Sequence, residues 1–196
     1  MTAIRPAAFA GRFYPGSPGE LEASVRAYLA EAKISEGPAA KAAENQVPKA
    51  IIAPHAGYIY SGPVAANAYA RLAPARGRIS RVVLLGPCHR VPVRGLALSG
   101  ADAFATPLGN VPLDKKTCAE LALLPQVEVF DDSHALEHSL EVHLPFLQVV
   151  LGSFALVPLA VGDATEAEVA EVLDRAWGGP ETLIVVSSDL SHYLPY

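Results

Sequence analysis

Five short apolar runs constrain the fold more than any other feature: AIIA at 50–53, RVVLL at 81–85, GLAL at 95–98, FALVPLAV at 154–161 and TLIVV at 182–186. None alternates apolar with polar residues, as a strand with one wet face does, and each is short for a buried helix. Continuous Val, Ile and Leu mark strands buried on both faces, which occur in parallel sheets covered by helices. The sequence between the runs supplies those helices. Ser17-Pro18-Gly19-Glu20 offers an N-cap, a proline at the first helical position and a glutamate at the third. Leu21, Val25 and Leu29 then follow at helical spacing, predicting a helix to about Lys33. Thr165 and Glu168 repeat the capping pattern ahead of Val169, Val172, Leu173 and Trp177, with Gly178 as terminator. Ser61 is expected to cap a helix through Leu72, Asp114 one through Leu124, and 137–151 reads as a helix perturbed by Pro145. The polar, aperiodic stretch 34–48 reads as a surface loop. The expected fold class is α/β, an open, mostly parallel sheet with helices on both faces, in a single domain over residues 1–196.

Composition narrows the function classes. With 51% hydrophobic and 18% charged residues the chain is globular rather than disordered. The formal net charge is -5 and the basic side chains are scattered singly, so a phosphate backbone has no footprint and no nucleic-acid partner is expected. The first 16 residues lack the apolar core of a signal peptide, being interrupted by Arg5, Pro6 and Arg12, which makes the cytoplasm the expected compartment. The most apolar stretch, 146–161, is broken by Gln148, Gly152, Ser153 and Pro158, so no membrane span is expected. Cys88 and Cys118 are too few for a disulfide scaffold and are read as reduced thiols. A homo-oligomer is compatible with this much apolar surface.

In open α/β sheets, ligands bind outside the carboxyl ends of the strands. AIIA runs into Pro54-His55-Ala56-Gly57-Tyr58, VVLL into Gly86-Pro87-Cys88-His89-Arg90, and LIVV into Ser187-Ser188-Asp189-Leu190-Ser191-His192. One such histidine alone reads as satisfied by a backbone carbonyl; three at one sheet edge point to a site. Neutral imidazoles bind Fe, Zn or Cu, and two of them with a carboxylate or thiolate leave coordination positions open. His55 and His89 are the expected metal ligands, Asp189 a ligand or orienting group, and His192 a general acid or base. Asp189 also reads, equally well, as a cap for a following helix. The segment HALEHSLEVH at 134–143 is not an HExxH zinc signature, since Glu137 precedes His138 and the next histidine is five residues on. On one continuous helix His134, His138, Glu141 and Pro145 share a stripe, ordinarily a solvated one, which leaves His138 and Glu141 as candidate pocket walls. Tyr58, Cys88 and Arg90 complete the expected pocket, whereas Cys118 reads as a small core residue. No GxGxxG or P-loop spacing indicates a nucleotide.

In order, RPAAFAGRFYP, APHAGYIYSG, GPCHR, TPLGNVPLD, EHSLEVHLPFLQ, VPLAVGD and SSDLSHY closely resemble the Memo family, including the bacterial proteins called AmmeMemoRadiSam system protein B. The resemblance covers nearly the whole chain. It implies a fold similar to that of class III extradiol dioxygenases, which cleave catechol-type rings with non-heme Fe(II) and dioxygen. His55 and His89 match the two histidine ligands of that site, and His192 the catalytic histidine. In Memo-like proteins Asp189 also lies in the pocket, and a cysteine later in the chain replaces the glutamate ligand of the dioxygenases. This chain has no counterpart of that cysteine, so the family pattern is expected to be cut short at Tyr196. Either a longer polypeptide or a second one supplies the third ligand, or Asp189, Cys88 or Glu141 substitutes. The implied activity is a non-heme metal oxidoreductase using Fe(II), with Cu or Zn as alternatives, acting on a small molecule. The other implied role is a non-catalytic peptide- or metal-binding adaptor, working with a partner such as a radical-SAM protein.

Overall fold

The computed structural model describes residues 2–33 and 47–190. The expected loop at 34–48 therefore lies, apart from Val47 and Pro48, outside the described residues, as does His192. Six strands form the main sheet: β2 (Ala50–Ala53), β3 (Arg81–Pro87), β4 (Leu96–Leu98), β7 (Val127–Val129), β8 (Ala155–Val161) and β9 (Thr182–Ser187), in the order β2-β9-β3-β8-β4-β7. Every pairing is parallel except β4 against β8. All five apolar runs are strands of this sheet. A smaller sheet joins β1 (Ile4–Arg5) in parallel to β5 (Ala103–Thr106), which turns back antiparallel into β6 (Gly109–Pro112).

Two apolar layers sandwich the main sheet, and strand alternation assigns residues to each. Val82, Leu84, Leu156, Ala160, Leu183 and Val185 face α1 (Pro18–Ala30), α2 (Tyr58–Ala70) and a helix formed by Leu144–Leu151. Val83, Leu85, Val157, Leu159 and Ile184 face α3 (Lys115–Leu121) and the helix Glu166–Ala176. Helices thus cover both faces of the central strands, as continuous apolar runs require, whereas the edge strand β2 is buried on one side only, with Ile52 58% exposed; the arrangement is consistent with a dioxygenase-like α/β fold. Among the described residues no helix is long and apolar enough to cross a membrane.

Local chemistry explains where helices begin. The Ser17 hydroxyl accepts from Glu20 N–H, the Asp114 carboxylate accepts from Thr117 N–H, and Thr165 with Glu168 forms a full capping box. Ser61 does not cap. The chain leaves β2 through a tight turn and α2 begins at Tyr58, whose N–H donates to Phe13 carbonyl at 2.8 Å; the Ser61 hydroxyl donates back to Ala56 carbonyl at 2.6 Å. Nor is 137–151 one helix. It splits into α5 (His138–Glu141) and α6 (Leu144–Leu151), preceded by α4 (Asp132–Ala135) and followed later by α7 (Glu166–Ala176). Pro145 occupies the opening turn of α6, where its missing N–H costs nothing, so it starts a helix rather than bending one. Once the stretch is broken, the stripe expected from continuous periodicity dissolves: His134, Glu141 and His143 are all buried.

Candidate metal centre

The parallel pairing β2-β9-β3 brings the carboxyl ends of three strands together. His55 follows β2, His89 follows β3, and α5 delivers His138 between them. The His55 ring lies 5.3 Å from that of His89 and 5.5 Å from that of His138, centroid to centroid, and the His89 and His138 rings stack at 4.8 Å. One ring nitrogen from each lies within 4.8 Å of the other two, a group that could hold a metal ion. Metal–nitrogen bonds of about 2.1 Å set ligand nitrogens about 3.3 Å apart, inside the 4.8 Å span of this group. His89, 37% exposed, is the most open of the three.

Hydrogen bonds behind the rings fix which nitrogen is available. Ser187 Oγ donates its only hydrogen to Ser139 carbonyl at 2.7 Å, so it accepts from His55 Nδ1–H, also at 2.7 Å. His89 Nδ1–H donates to Glu137 Oε1 at 2.9 Å. Both imidazoles therefore keep a lone pair on Nε2. Donation of the second ring nitrogen to an oxygen acceptor is the usual support for a ligating histidine. His138 Nδ1 is buried and unpartnered: Glu137 Oε1 is 3.3 Å away but out of line for a hydrogen bond.

Electrostatics favour the neutral, ligating forms of His55 and His138. Burial pushes His55 down to about 4, outweighing the upward pull of Asp189, and the neighbouring His138 and His89 add to the fall. Burial also lowers His138, against Glu137. Glu137 caps α5, is 2% exposed, and accepts from His89 N–H at 2.7 Å and Ser139 N–H at 2.9 Å as well as from the His89 ring. Burial alone would raise its carboxyl, but these donors hold it below the ordinary glutamate value. Asp189 Oδ1 accepts from His55 N–H at 2.6 Å, and Oδ2 lies 3.8 Å from His55 Nε2.

A family model described as "Memo-like protein" matches residues 5–196. The chain belongs to the Memo family. It is 39% identical over 198 residues to a MEMO1 family protein of Thermotoga petrophila, covering 96% of this chain and 70% of that protein. Identity to Protein MEMO1 of Danio rerio is 35% over 199 residues, covering 96% of this chain and 63% of the relative's length. The same share of Homo sapiens Protein MEMO1 is matched at 35% identity.

The Memo motifs supply the other expected pocket residues, which the structure distributes unevenly. Tyr58 is buried and its hydroxyl donates to Val142 carbonyl at 2.7 Å. Cys88 turns its thiol to Val91 carbonyl at 3.1 Å. Arg90 is exposed, its guanidinium 5.8 Å from the Phe9 ring centre. Glu141 is fully buried and takes the main-chain N–H groups of Ala8 and Phe9, the Tyr14 hydroxyl and the Arg5 guanidinium. Cys118 lies on the buried side of α3, where burial pushes its thiol up to about 11. Sequence reasoning missed two supporting residues, Ser187 and Glu137. Both have a local signal, Ser187 as the last residue of a buried strand and Glu137 as the acid before His138.

Proposed function

We propose that this Memo-family chain is a metal-dependent oxidoreductase whose divalent ion, Fe(II) first and Cu or Zn as alternatives, is held by His55, His89 and His138. The observation that carries the reading is the convergence of three imidazoles, two of them with Nδ1 engaged and Nε2 available. Bound Fe(II) would supply open coordination positions for a small molecule and dioxygen. The chain's own groups do the rest. Glu137 and Ser187 hold the rings in their ligating tautomers, and Asp189, beside His55, is placed to take a proton from a bound hydroxyl. His192 is its proposed acid–base partner, the strand-end cleft the proposed place of a small-molecule or peptide ligand, and the cytoplasm the proposed compartment. A radical-SAM protein is the proposed partner.

Anaerobic loading of the chain with Fe(II), Cu and Zn, followed by metal analysis, tests the ligand set. One ion per chain, lost in His55→Ala/His89→Ala and weakened in His138→Ala, is the expected result. Equal metal in parent and double variant overturns it. Ring-cleavage assays on catechols test the chemistry; an Fe(II)-loaded protein inert toward them points to the adaptor role instead.

A further inference from the structure

Two of the three imidazoles stand on firm ground, because His89 follows the central strand β3 and His55 follows β2, paired along its length with β9. His138 does not. It opens a helix of four residues, and a single helical turn fixes more backbone freedom than its hydrogen bonding returns. Ser139 ties one side of the turn to the sheet, through Pro87 carbonyl and Ser187 Oγ, and its other side is held from the beginning of the chain. At its foot, Glu141 is fully buried and receives Ala8 N–H at 3.0 Å, Phe9 N–H at 2.8 Å, the Tyr14 hydroxyl and the Arg5 guanidinium. Arg5 also donates to His134 carbonyl at 2.9 Å and Glu137 carbonyl at 2.8 Å, bracketing the approach to the turn. The rings of Phe9 and Phe13 close on the His138 ring at 5.4 and 4.7 Å.

On the reading that the three imidazoles hold a metal, we propose that residues 5–14, acting through Glu141, are the positioning element that sets His138 against His55 and His89. Neither Arg5, Tyr14 nor Glu141 touches the ion; they fix the turn that presents the ligand. Linkage makes the effect reciprocal: a metal bound by the three rings holds residues 5–14 in place as firmly as those residues favour the metal.

Tyr14→Phe removes one of the four donors with almost no change of volume, and Glu141→Gln removes the charge that Arg5 requires. The full chain would be titrated with Co(II), whose visible d–d absorption reports ligand number and geometry. Trypsin cleavage at the exposed Arg12 would be timed with and without the ion. Val172→Ala, in the opposite apolar layer, supplies a variant of lowered thermal stability with residues 5–14 untouched. The expected result is a loss of Co(II) affinity of roughly 10-fold or more with an altered absorption band in Tyr14→Phe, neither change in Val172→Ala, and slower cleavage at Arg12 when the parent carries Co(II). Parental affinity and spectrum in Tyr14→Phe, or cleavage indifferent to the ion, overturns the positioning role while leaving the metal site standing. A parent chain that binds no Co(II) overturns both.

Discussion

Replacing Glu137 by glutamine perturbs the centre through one atom. Glu137 Oε1 accepts from the His89 ring at 2.9 Å and Ser139 N–H at 2.9 Å, while Oε2 accepts from His89 N–H at 2.7 Å. A glutamine that keeps its oxygen at the Oε1 position retains two of these bonds, but its NH2 then meets the His89 N–H, donor against donor. The flipped amide is worse, with two donors facing NH2. A buried donor left unmet costs about 1–3 kcal/mol, and Glu137 is 2% exposed, so solvent offers little relief. The expected loss of folding stability is therefore about 1–3 kcal/mol, read as a lowered urea midpoint at unchanged m-value. Metal affinity should fall separately. His89 exchanges a charged acceptor for a neutral one, its Nε2 becomes a weaker donor, and changes at such supporting residues typically cost about 10- to 100-fold. Competition with a chromophoric chelator measures that loss. A Glu137→Gln chain with parental urea midpoint and parental metal affinity would refute the hydrogen-bond accounting. The pH dependence follows the same logic. Because the folded-state pKa of Glu137 is depressed, its contribution is present above the ordinary glutamate value of 4.5 and lost as pH falls through the folded value.

Acid should unfold the chain earlier than its carboxylates alone would dictate. Burial lowers His134 to about 4 and His143 to about 3 from an ordinary 6.5, so the unfolded chain takes up two protons that the folded chain refuses. Their stabilities are intact above pH 6.5 and fall below it by about 1.4 kcal/mol per pH unit for each group, on the order of 6 kcal/mol for the pair by pH 4. Urea midpoints that stay level between pH 7 and 4.5 would contradict this. Cys88→Ser should leave metal affinity within about twofold of the parent, since the thiol faces a backbone carbonyl; an order-of-magnitude loss in the same chelator competition would place the sulfur on the ion.

The sequence signal was strongest where burial leaves a continuous record. Val82 to Leu85 and Leu183 to Val186 face helices on both sides, so every position is apolar and the strand is legible. β1, β5, β6 and β7 run two to four residues and include Glu128, Gly109 and Asn110, too short and mixed for any period to emerge. The placement of His55 and His89 followed from strand ends alone. The burial of Glu141 could not, because its charged partner Arg5 lies 136 residues away. A periodic stripe presumes an unbroken helix, and the chain between His134 and Leu151 is three short ones. That is also why His138 reads from sequence as a pocket wall rather than as the third member of the histidine group.

The identity of that third member bears on the chemistry more than its location does. A two-histidine, one-carboxylate set neutralises part of an ion's charge directly, whereas three neutral imidazoles leave it whole. Of the two carboxylates here, Glu137 stands behind His89, on its Nδ1–H, whereas Asp189 Oδ2 lies 3.8 Å from His55 Nε2, on the side left for an ion. The Glu137 charge, accepting from the His89 ring, raises the basicity of that imidazole without occupying a coordination position. An ion held by the proposed three imidazoles would keep strong Lewis acidity and an open face together. The division of labour in the fold matches it: the sheet holds two imidazoles rigidly, and a turn tied to residues 5–14 brings in the third.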